Sequence, residues 1–397
     1  MVAVLSRMFG IQDLEFAEDV VQETIVKALS QWKFHGIPDN PKAWLYTVAK
    51  RKVIDELRHR RLNDRLPSEH TELLSSEWTL HSTVDQFFLD SEIEDSQLRM
   101  FFACCHPSIP QESQIALVLK TLCGFGVDEI ARAFLSNEET IAKRLYRAKE
   151  KLRSETISLE VPVGAELEPR LDSVLKCIYL MFSEGYHSSH PDMIIRKDLS
   201  LEAMRLCKLL SEHPLTGTPA VNALMALLCY GASRFDARLD EQGNIIRLIE
   251  QDRKRWDNAL IEIGNYYLNR SASGLVPSQY HLEAGIMAVH AATKYYEDTD
   301  WTLILSLYDQ LLLLLPTSII RLNRAIALGY AKTPQQAITE LEAITDLEAY
   351  YLYHAALGDL YHRTGNPLRA KTFYKQAQQL TASRSEQELL ERKLRTL

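Results

Sequence analysis

The sequence predicts an all-α protein, and three observations carry that expectation. Apolar residues recur at helical spacing along nearly the whole chain. Helix breakers are scarce, with 15 Gly and 14 Pro in 397 residues. The β-branched alternation that marks strands is rare. The length allows two to four domains at roughly 100–200 residues each. An apolar share of 46% and a charged share of 25% are those of a globular chain. The net charge of −8 argues against a bulk nucleic-acid binder, yet the charge is unevenly placed and local patches decide binding. No signal peptide is expected from the opening residues, and the longest apolar run, 303–316, is interrupted by Asp309 and Gln310 and is too short to span a bilayer. A soluble, cytoplasmic protein is expected.

In chain order, residues 2–8 read as a short helix, 10–14 as a turn and 15–32 as a second helix. The second carries an apolar stripe of Ala17, Val20, Val21, Thr24, Ile25, Ala28 and Leu29. Glu18, Asp19, Gln22 and Glu23 form its other face, which suits docking on a basic partner, although a solvated face is the plainer reading. After a turn at 35–41, Asn40 can cap a helix that has Pro41 at its first position. This helix, 41–61, buries Trp44, Leu45, Val48, Ala49, Val53, Ile54 and Leu57. It is strongly basic through Lys42, Lys50, Arg51, Lys52, Arg58, Arg60 and Arg61, with Arg65 beyond its end. Trp44 and Tyr46 stand among these cations. Unpaired bases stack on such rings while cations hold the strand; a core Trp under a solvated basic face is the alternative.

No Lys or Arg occurs between Arg65 and Arg99, where Glu69, Glu72, Glu77, Asp85, Asp90, Glu92, Glu94 and Asp95 dominate. The stretch reads as a flexible acidic linker with a short helix at its end. Helices follow at 97–105 and 111–122, broken by Pro107, Pro110, Gly124 and Gly126. The six cysteines form no CxxC pair. Cys104-Cys105-His106 lacks a second ligand pair and reads as small buried residues before a helix-stopping proline, so neither zinc nor a disulfide is expected. Residues 127–153 then give two short helices joined by a tight turn. Val127, Ile130, Ala131 and Phe134 line the first, a break falls at Leu135–Ser136, and Ser136 or Asn137 can cap the second. Glu138 and Glu139 favour that helix's N-terminus, Ile141, Leu145 and Ala148 share its buried face, and Lys143, Arg144, Arg147, Lys149, Lys151 and Arg153 make it basic. This is the pattern of a DNA-binding helix-turn-helix, with an ordinary helical hairpin as the alternative.

Two blocks together resemble a known family. EDVVQETIVKALSQW followed by NPKAWLYTVAKRKVIDELRHRR resembles region 2 of an extracytoplasmic-function (ECF) RNA polymerase sigma factor of the sigma-70 family. ACCHPSIPQESQIALVLKTLCGFGVDEIARAFLSNEETIAKRLYRAKEKLR resembles its region 4. The resemblance covers nearly all of residues 1–158. It implies region 2 at 1–66, an acidic linker at 67–96 and region 4 at 97–158. It implies docking of the helix bearing Asp19, Gln22 and Glu23 on the β′ clamp helices of core RNA polymerase. It implies melting and reading of the promoter −10 element by Trp44, Tyr46, Lys50, Arg51, Lys52 and Arg58. The −35 element would be read by Glu139, Thr140, Lys143, Arg144 and Arg147, with region 4 also on the β flap. Two departures stand out. Region 2 of the family has a longer first helix, and here Met1 falls inside it. Many members carry Asn where this chain has Lys50-Arg51-Lys52, a version suited to gripping phosphate.

Residues 159–169 read as a second linker, and 170–397 as a larger helical domain. Helices are expected at 170–186, 197–212, 219–235, 253–269, 278–296, 299–315, 319–331 and 334–344, with two more beyond. The last pair matches the tetratricopeptide (TPR) pattern through Gly358, Tyr361, Gly365, Ala370, Tyr374 and Ala377. A weaker copy precedes it at Ala325, Leu328, Ala337, Leu341 and Ile344, giving TPR-like repeats near 319–380. YLMFSEGYHSS, RKDLSLEAMRLCKLL, NALMALLCYGASRFDAR, LIEQDRKRWD and AGIMAVHA resemble the C-terminal extension of one ECF subgroup. That resemblance implies a fused regulatory domain. Members are often encoded beside small DGPF/YCII-type proteins, which makes such a protein a candidate partner. The mixed-charge segment 250–257 suits either a ligand or interdomain site, or an N-cap and first turn with Asp252 capping and Arg255 paired to a carboxylate; the second reading is preferred. Glu184, Tyr186 and His187 come without a nucleophile, metal set or phosphate loop, so neither catalysis nor a cofactor is expected. The alternatives to a sigma factor are a conventional helix-turn-helix regulator, which leaves the basic 41–61 helix unexplained, and a TPR-type adaptor.

Overall fold

The structure is a computed structural model that describes residues 1–62, 77–133, 136–155, 157–187, 195–273 and 276–397. Arg65, Glu69, Glu72, Phe134 and Leu135 lie outside the described residues. Among the described residues there are nineteen α-helices and no strand beyond one antiparallel bridge, Leu239–Ile245. The chain divides into two compact units, Met1–Cys177 and Ile178–Leu397, and the division falls within one helix.

The first unit contains α1 (Val2–Phe9), α2 (Leu14–His35), α3 (Pro41–Leu62), α4 (Glu77–Phe87), α5 (Asp90–Cys104), α6 (Gln111–Thr121), α7 (Val127–Ala133), α8 (Glu138–Ser154) and the start of α9 (Leu167–Tyr186). Its first core joins Val4, Leu5, Met8, Phe9, Ala17, Val20, Ala49, Val53, Ile54 and Leu57 with Val84, Phe88 and Ile93. The last three correct the sequence reading. Residues 77–96, expected as the end of a linker with one short helix, form α4 and the first part of α5, because their apolar residues recur at helical spacing and complete this core. Burying each such side chain stabilises by roughly 1.5–3 kcal/mol, enough to order an acidic helix. Arg7 holds the same segment through Glu92 at 2.8 Å and Asp95 at 3.0 Å. Phe101, Phe102, Leu117, Ile130 and Ile141 are buried on the helices α5 to α8, which pack on one another. Six free cysteines are distributed over the chain; Cys105 and Cys177 bring their sulfurs to 3.6 Å inside the first unit.

The second unit continues with α10 (Lys197–Glu212), α11 (Pro219–Ala232), α12 (Asn258–Ser271), α13 (Gln279–Ala292), α14 (Trp301–Leu314), α15 (Ser318–Ala331), α16 (Pro334–Glu342), α17 (Tyr351–Arg363), α18 (Pro367–Leu380) and α19 (Arg384–Arg395). α11 is apolar all round and is buried from Val221 to Ala232, packed between α10, α12 and α13. The helix expected at 253–269 begins instead at Asn258, because the Asp257 side chain caps it and Arg253–Arg255 forms a separate 3-10 turn capped by Asp252. α19 is an additional helix beyond the expected pair. The helices α15 to α19 share one core in which Ala325, Ala337, Leu341, Ile344, Ala370, Tyr374 and Ala377 are buried. Gly365 takes φ 71° in the turn between α17 and α18, a conformation that favours glycine.

Candidate nucleic-acid interface

The first unit presents two basic helices, α3 and α8. Asn137 starts α8 by accepting the Thr140 amide at 2.8 Å. Ile141, Leu145, Ala148 and Leu152 then repeat at three- and four-residue spacing and face α6 and α7. That stripe fixes what points outward. Glu139, Lys143, Tyr146 and Arg147 are exposed, and Thr140 is half-buried beside them. Lys143 pairs with Glu139 at 2.6 Å, an exposed contact worth a few tenths of a kcal/mol, about what helix pairs contribute. Arg147 has no ion-pair partner among the described residues. Arg144 differs: it turns toward α6 and pairs with Glu112 at 2.5 Å. Of the five residues expected to read DNA from α8, four therefore lie on one outward face and Arg144 is tied at its edge. Tyr146, 65% exposed, shares that face and was missed by the sequence reading. Its signal was its position one residue off the buried stripe.

On α3 the expected aromatic platform is partly covered. Trp44 makes an edge-on pair with Trp32 of α2 at 5.4 Å. Tyr46 packs against Phe88 at 5.5 Å, and Lys42 Nζ lies 5.6 Å from the Tyr46 ring centre. Lys50 pairs with Asp85 at 2.7 Å and Lys42 with Asp90 at 2.9 Å, and the Asp90 bond raises the Lys42 pKa. Lys52 pairs with Glu23, and Arg58 contacts Asp55 at 3.3 Å. Arg51 is exposed and has no ion-pair partner among the described residues. The segment around α4 and α5 thus lays carboxylates along the basic helix.

The face of α2 is also informative. Its buried stripe is Leu14, Ala17, Val20, Thr24 and Ala28. Ile25 and Leu29, expected in that stripe, are exposed by 44% and 67%, and Val26 by 65%. α2 carries more apolar residues than a single stripe holds, and the surplus falls on the edge next to Asp19, Gln22 and Glu23, all exposed. At the start of α2, Glu18 pairs with Lys149 of α8 at 2.6 Å, the two side chains being 13% and 18% exposed, and Glu15 pairs with Arg153 at 3.2 Å.

A helix-turn-helix with an outward basic face, a second basic helix with aromatics, and an apolar–acidic helix face in the same unit define a DNA-binding protein equipped to dock on a protein partner. Comparison with known proteins carries this to a family. Residues 1–62 match Sigma-70 region 2, residues 102–152 match Sigma-70 region 4, and residues 170–272 match a family of unknown function (DUF6596). An uncharacterised protein, R00370, of Rhizobium meliloti (strain 1021) is 34% identical over 94% of this chain and 88% of its own length. The RNA polymerase sigma factor SigV of Bacillus subtilis (strain 168) is 27% identical over 36% of this chain and 77% of its own length. The ECF RNA polymerase sigma factor SigL of Mycobacterium tuberculosis (strain ATCC 25618 / H37Rv) is 28% identical over 36% of this chain and 75% of its own length. No solved structure matches. The chain belongs to the sigma-70 family as an ECF-type factor with a C-terminal helical extension. It is a sigma factor that directs RNA polymerase, and its partners are the core enzyme and promoter DNA.

Proposed function

We propose that α3 melts and reads the −10 element and α8 reads the −35 element of the promoter while α2 holds core polymerase. In this reading Asp19, Gln22 and Glu23, flanked by Ile25, Val26 and Leu29, dock on the β′ clamp helices. Trp44 and Tyr46 stack melted bases, while Lys50, Arg51, Lys52 and Arg58 hold the strand. Glu139, Thr140, Lys143, Arg144 and Arg147 meet the −35 duplex, where cations fix the backbone and polar groups read base edges. Region 4 also contacts the β flap. The observation that carries the reading is the exposed apolar edge of α2 beside its acidic residues. A regulator that binds duplex DNA alone needs no second docking face, and contiguous exposed apolar residues rimmed by charge mark a protein interface.

The first unit as folded is a closed arrangement. Lys149 and Arg153 of α8 hold Glu18 and Glu15 of α2, and Asp85 and Asp90 neutralise Lys50 and Lys42. Engagement of polymerase and DNA exchanges these carboxylates for phosphates and for the partner's basic groups. The extension is the regulatory part of the chain, and a small DGPF/YCII-type protein is the partner to seek on it by co-purification.

Reconstitution with core RNA polymerase tests the reading. Full-length protein is expected to bind core and to start run-off transcription from the region upstream of its own gene. The L29E variant is expected to lose core binding while the isolated protein keeps its thermal melting profile. Failure of the full chain to bind core would leave the TPR-type adaptor. Specific duplex binding without core would support the conventional regulator.

A further inference from the structure

The mixed-charge segment 250–257 does more in the second unit than cap a helix. Between residues 249–258 and the end of α13 lies a cavity of about 640 Å³, in the range of small-molecule sites. Trp256, only 4% exposed, lies in its wall. Two guanidinium groups approach that one indole, Arg253 at 4.3 Å and Arg234 at 5.2 Å from the ring centre. Among the described residues neither arginine has a carboxylate within ion-pair distance. Arg234 donates to the Gln251 amide oxygen at 3.3 Å, which leaves its charge uncompensated. Like charges gathered at a partly buried place are costly unless an anion joins them.

The bonds of Arg253 show where an anion fits. Its Nη1 donates to the carbonyl oxygens of His290 and, at 3.4 Å, Thr293, which anchors the side chain to the end of α13. Its Nε and Nη2, the edge that forks a carboxylate, are closed to water and have no acceptor, so the fork takes an anion as the side chain shifts toward the cavity. The Trp256 indole Nε1 is buried without one as well. His290 supplies no charge: burial, with Arg234 and Arg253 beside it, pushes its pKa down to about 4. Asp252 is turned to the Lys254 amide at 3.0 Å as a cap. The remaining walls include Ile249, Ile261, Ala292 and Tyr295, which suit an apolar body.

We propose that this cavity binds a small carboxylic acid with a flat apolar body, its carboxylate in the Nε–Nη2 fork of Arg253 and its body against Ile261, Ala292 and Tyr295. The charged groups that line the cavity, Arg253, Lys254 and Lys294 against Asp252 and Glu297, leave one net positive charge, which matches one negative charge better than the two of a phosphate monoester. The site makes the extension a receptor for a small-molecule signal, and its binding test does not depend on the assignments of α2, α3 and α8 to polymerase and DNA.

Calorimetric titration of the full-length protein with benzoate tests the proposal, with benzamide and inorganic phosphate as comparison probes. Saturable binding of one benzoate per chain is expected, with benzamide at least tenfold weaker. Arg253→Lys keeps a cation but loses the fork, and should weaken benzoate at least tenfold. Because Arg253 also anchors α13, Ala292→Leu provides a second variant: the site is exposed, the added bulk narrows the cavity, and a similar loss is expected with the fold intact. No saturable benzoate heat would overturn the proposal. So would benzamide binding as tightly as benzoate, phosphate binding where benzoate does not, or both variants binding like the parent.

Discussion

Arg144 and Arg147 stand three residues apart on α8, and the fold gives them different surroundings. Arg144 is held by Glu112, whereas Arg147 faces out with no counter-charge among the described residues. An Arg that meets a base edge contributes about 1–3 kcal/mol of discrimination. Arg147→Ala should therefore weaken holoenzyme binding to the promoter by about 5- to 150-fold, and Arg144→Ala should cost less; fluorescence anisotropy on a −35 duplex with the reconstituted holoenzyme measures both. In the second unit, two groups on α13 are shifted in opposite directions. Burial raises Glu283 to about 7 and, with the two arginines, lowers His290 to about 4. A carboxyl with a raised pKa binds its proton more tightly when folded, so its contribution to stability falls as pH rises from about 4.5 to 7. A histidine with a lowered pKa sheds its proton on folding, so its contribution rises with pH from about 4 to 6.5. Each effect is at most about 3 kcal/mol, and over the shared window they offset. Relative to the parent, Glu283→Gln should gain stability as pH rises through that window and His290→Asn should lose it. Denaturant unfolding at several pH values decides this, and two variants that both track the parent would refute it.

At the scale of elements, close packing sets the tolerances. A Cβ on Gly358 of α17 would come within 2.5 Å of the Tyr374 ring of α18. The ring is itself fixed, since its hydroxyl donates to Asp359 at 2.6 Å. Gly358→Ala should destabilise the protein by about 1–3 kcal/mol despite the better helix propensity of alanine, as a thermal melt would show. The spacing of Gly358, Ala370 and Tyr374 was legible in the sequence, because a repeat displays its packing residues at fixed positions. The role of α4 and α5 was not. Their carboxylates mask an apolar stripe that only the core of α1 to α3 makes useful. The pair of Lys149 with Glu18 belongs here too. Removing a fully buried partner costs about 3–5 kcal/mol, and these partly exposed side chains should cost nearer 2. Lys149→Met is expected to destabilise by about that amount, and adding Glu18→Gln should restore most of it; a double-mutant cycle in urea gives the coupling.

At the scale of the whole molecule, the sigma portion and the extension are separate compact units, and each has its own core. A chain ending after α9 should keep core binding and run-off initiation if the extension is regulatory; loss of both would make the extension part of the sigma machinery. Comparison of its transcript yield with that of the full chain gives the sign of regulation. The two basic helices and the helix-turn-helix were readable because amphipathic spacing and capping residues are local. The carboxylates that Lys42, Lys50 and Lys52 meet are far along the chain or on another helix, and periodicity carries no information about them.

The sequence by itself determined the all-α class, the helix-turn-helix with a cap at Ser136 or Asn137 and the packing pattern of the last helical hairpins, since each rests on contacts within one helix or between neighbours in the chain. Only the tertiary structure decided which apolar residues of α2 stay exposed, that the acidic stretch after residue 76 closes a core, and that Arg234 and Arg253 converge on Trp256. Those outcomes depend on which faces meet, and the free energy that selects among faces comes from burial across elements distant in sequence.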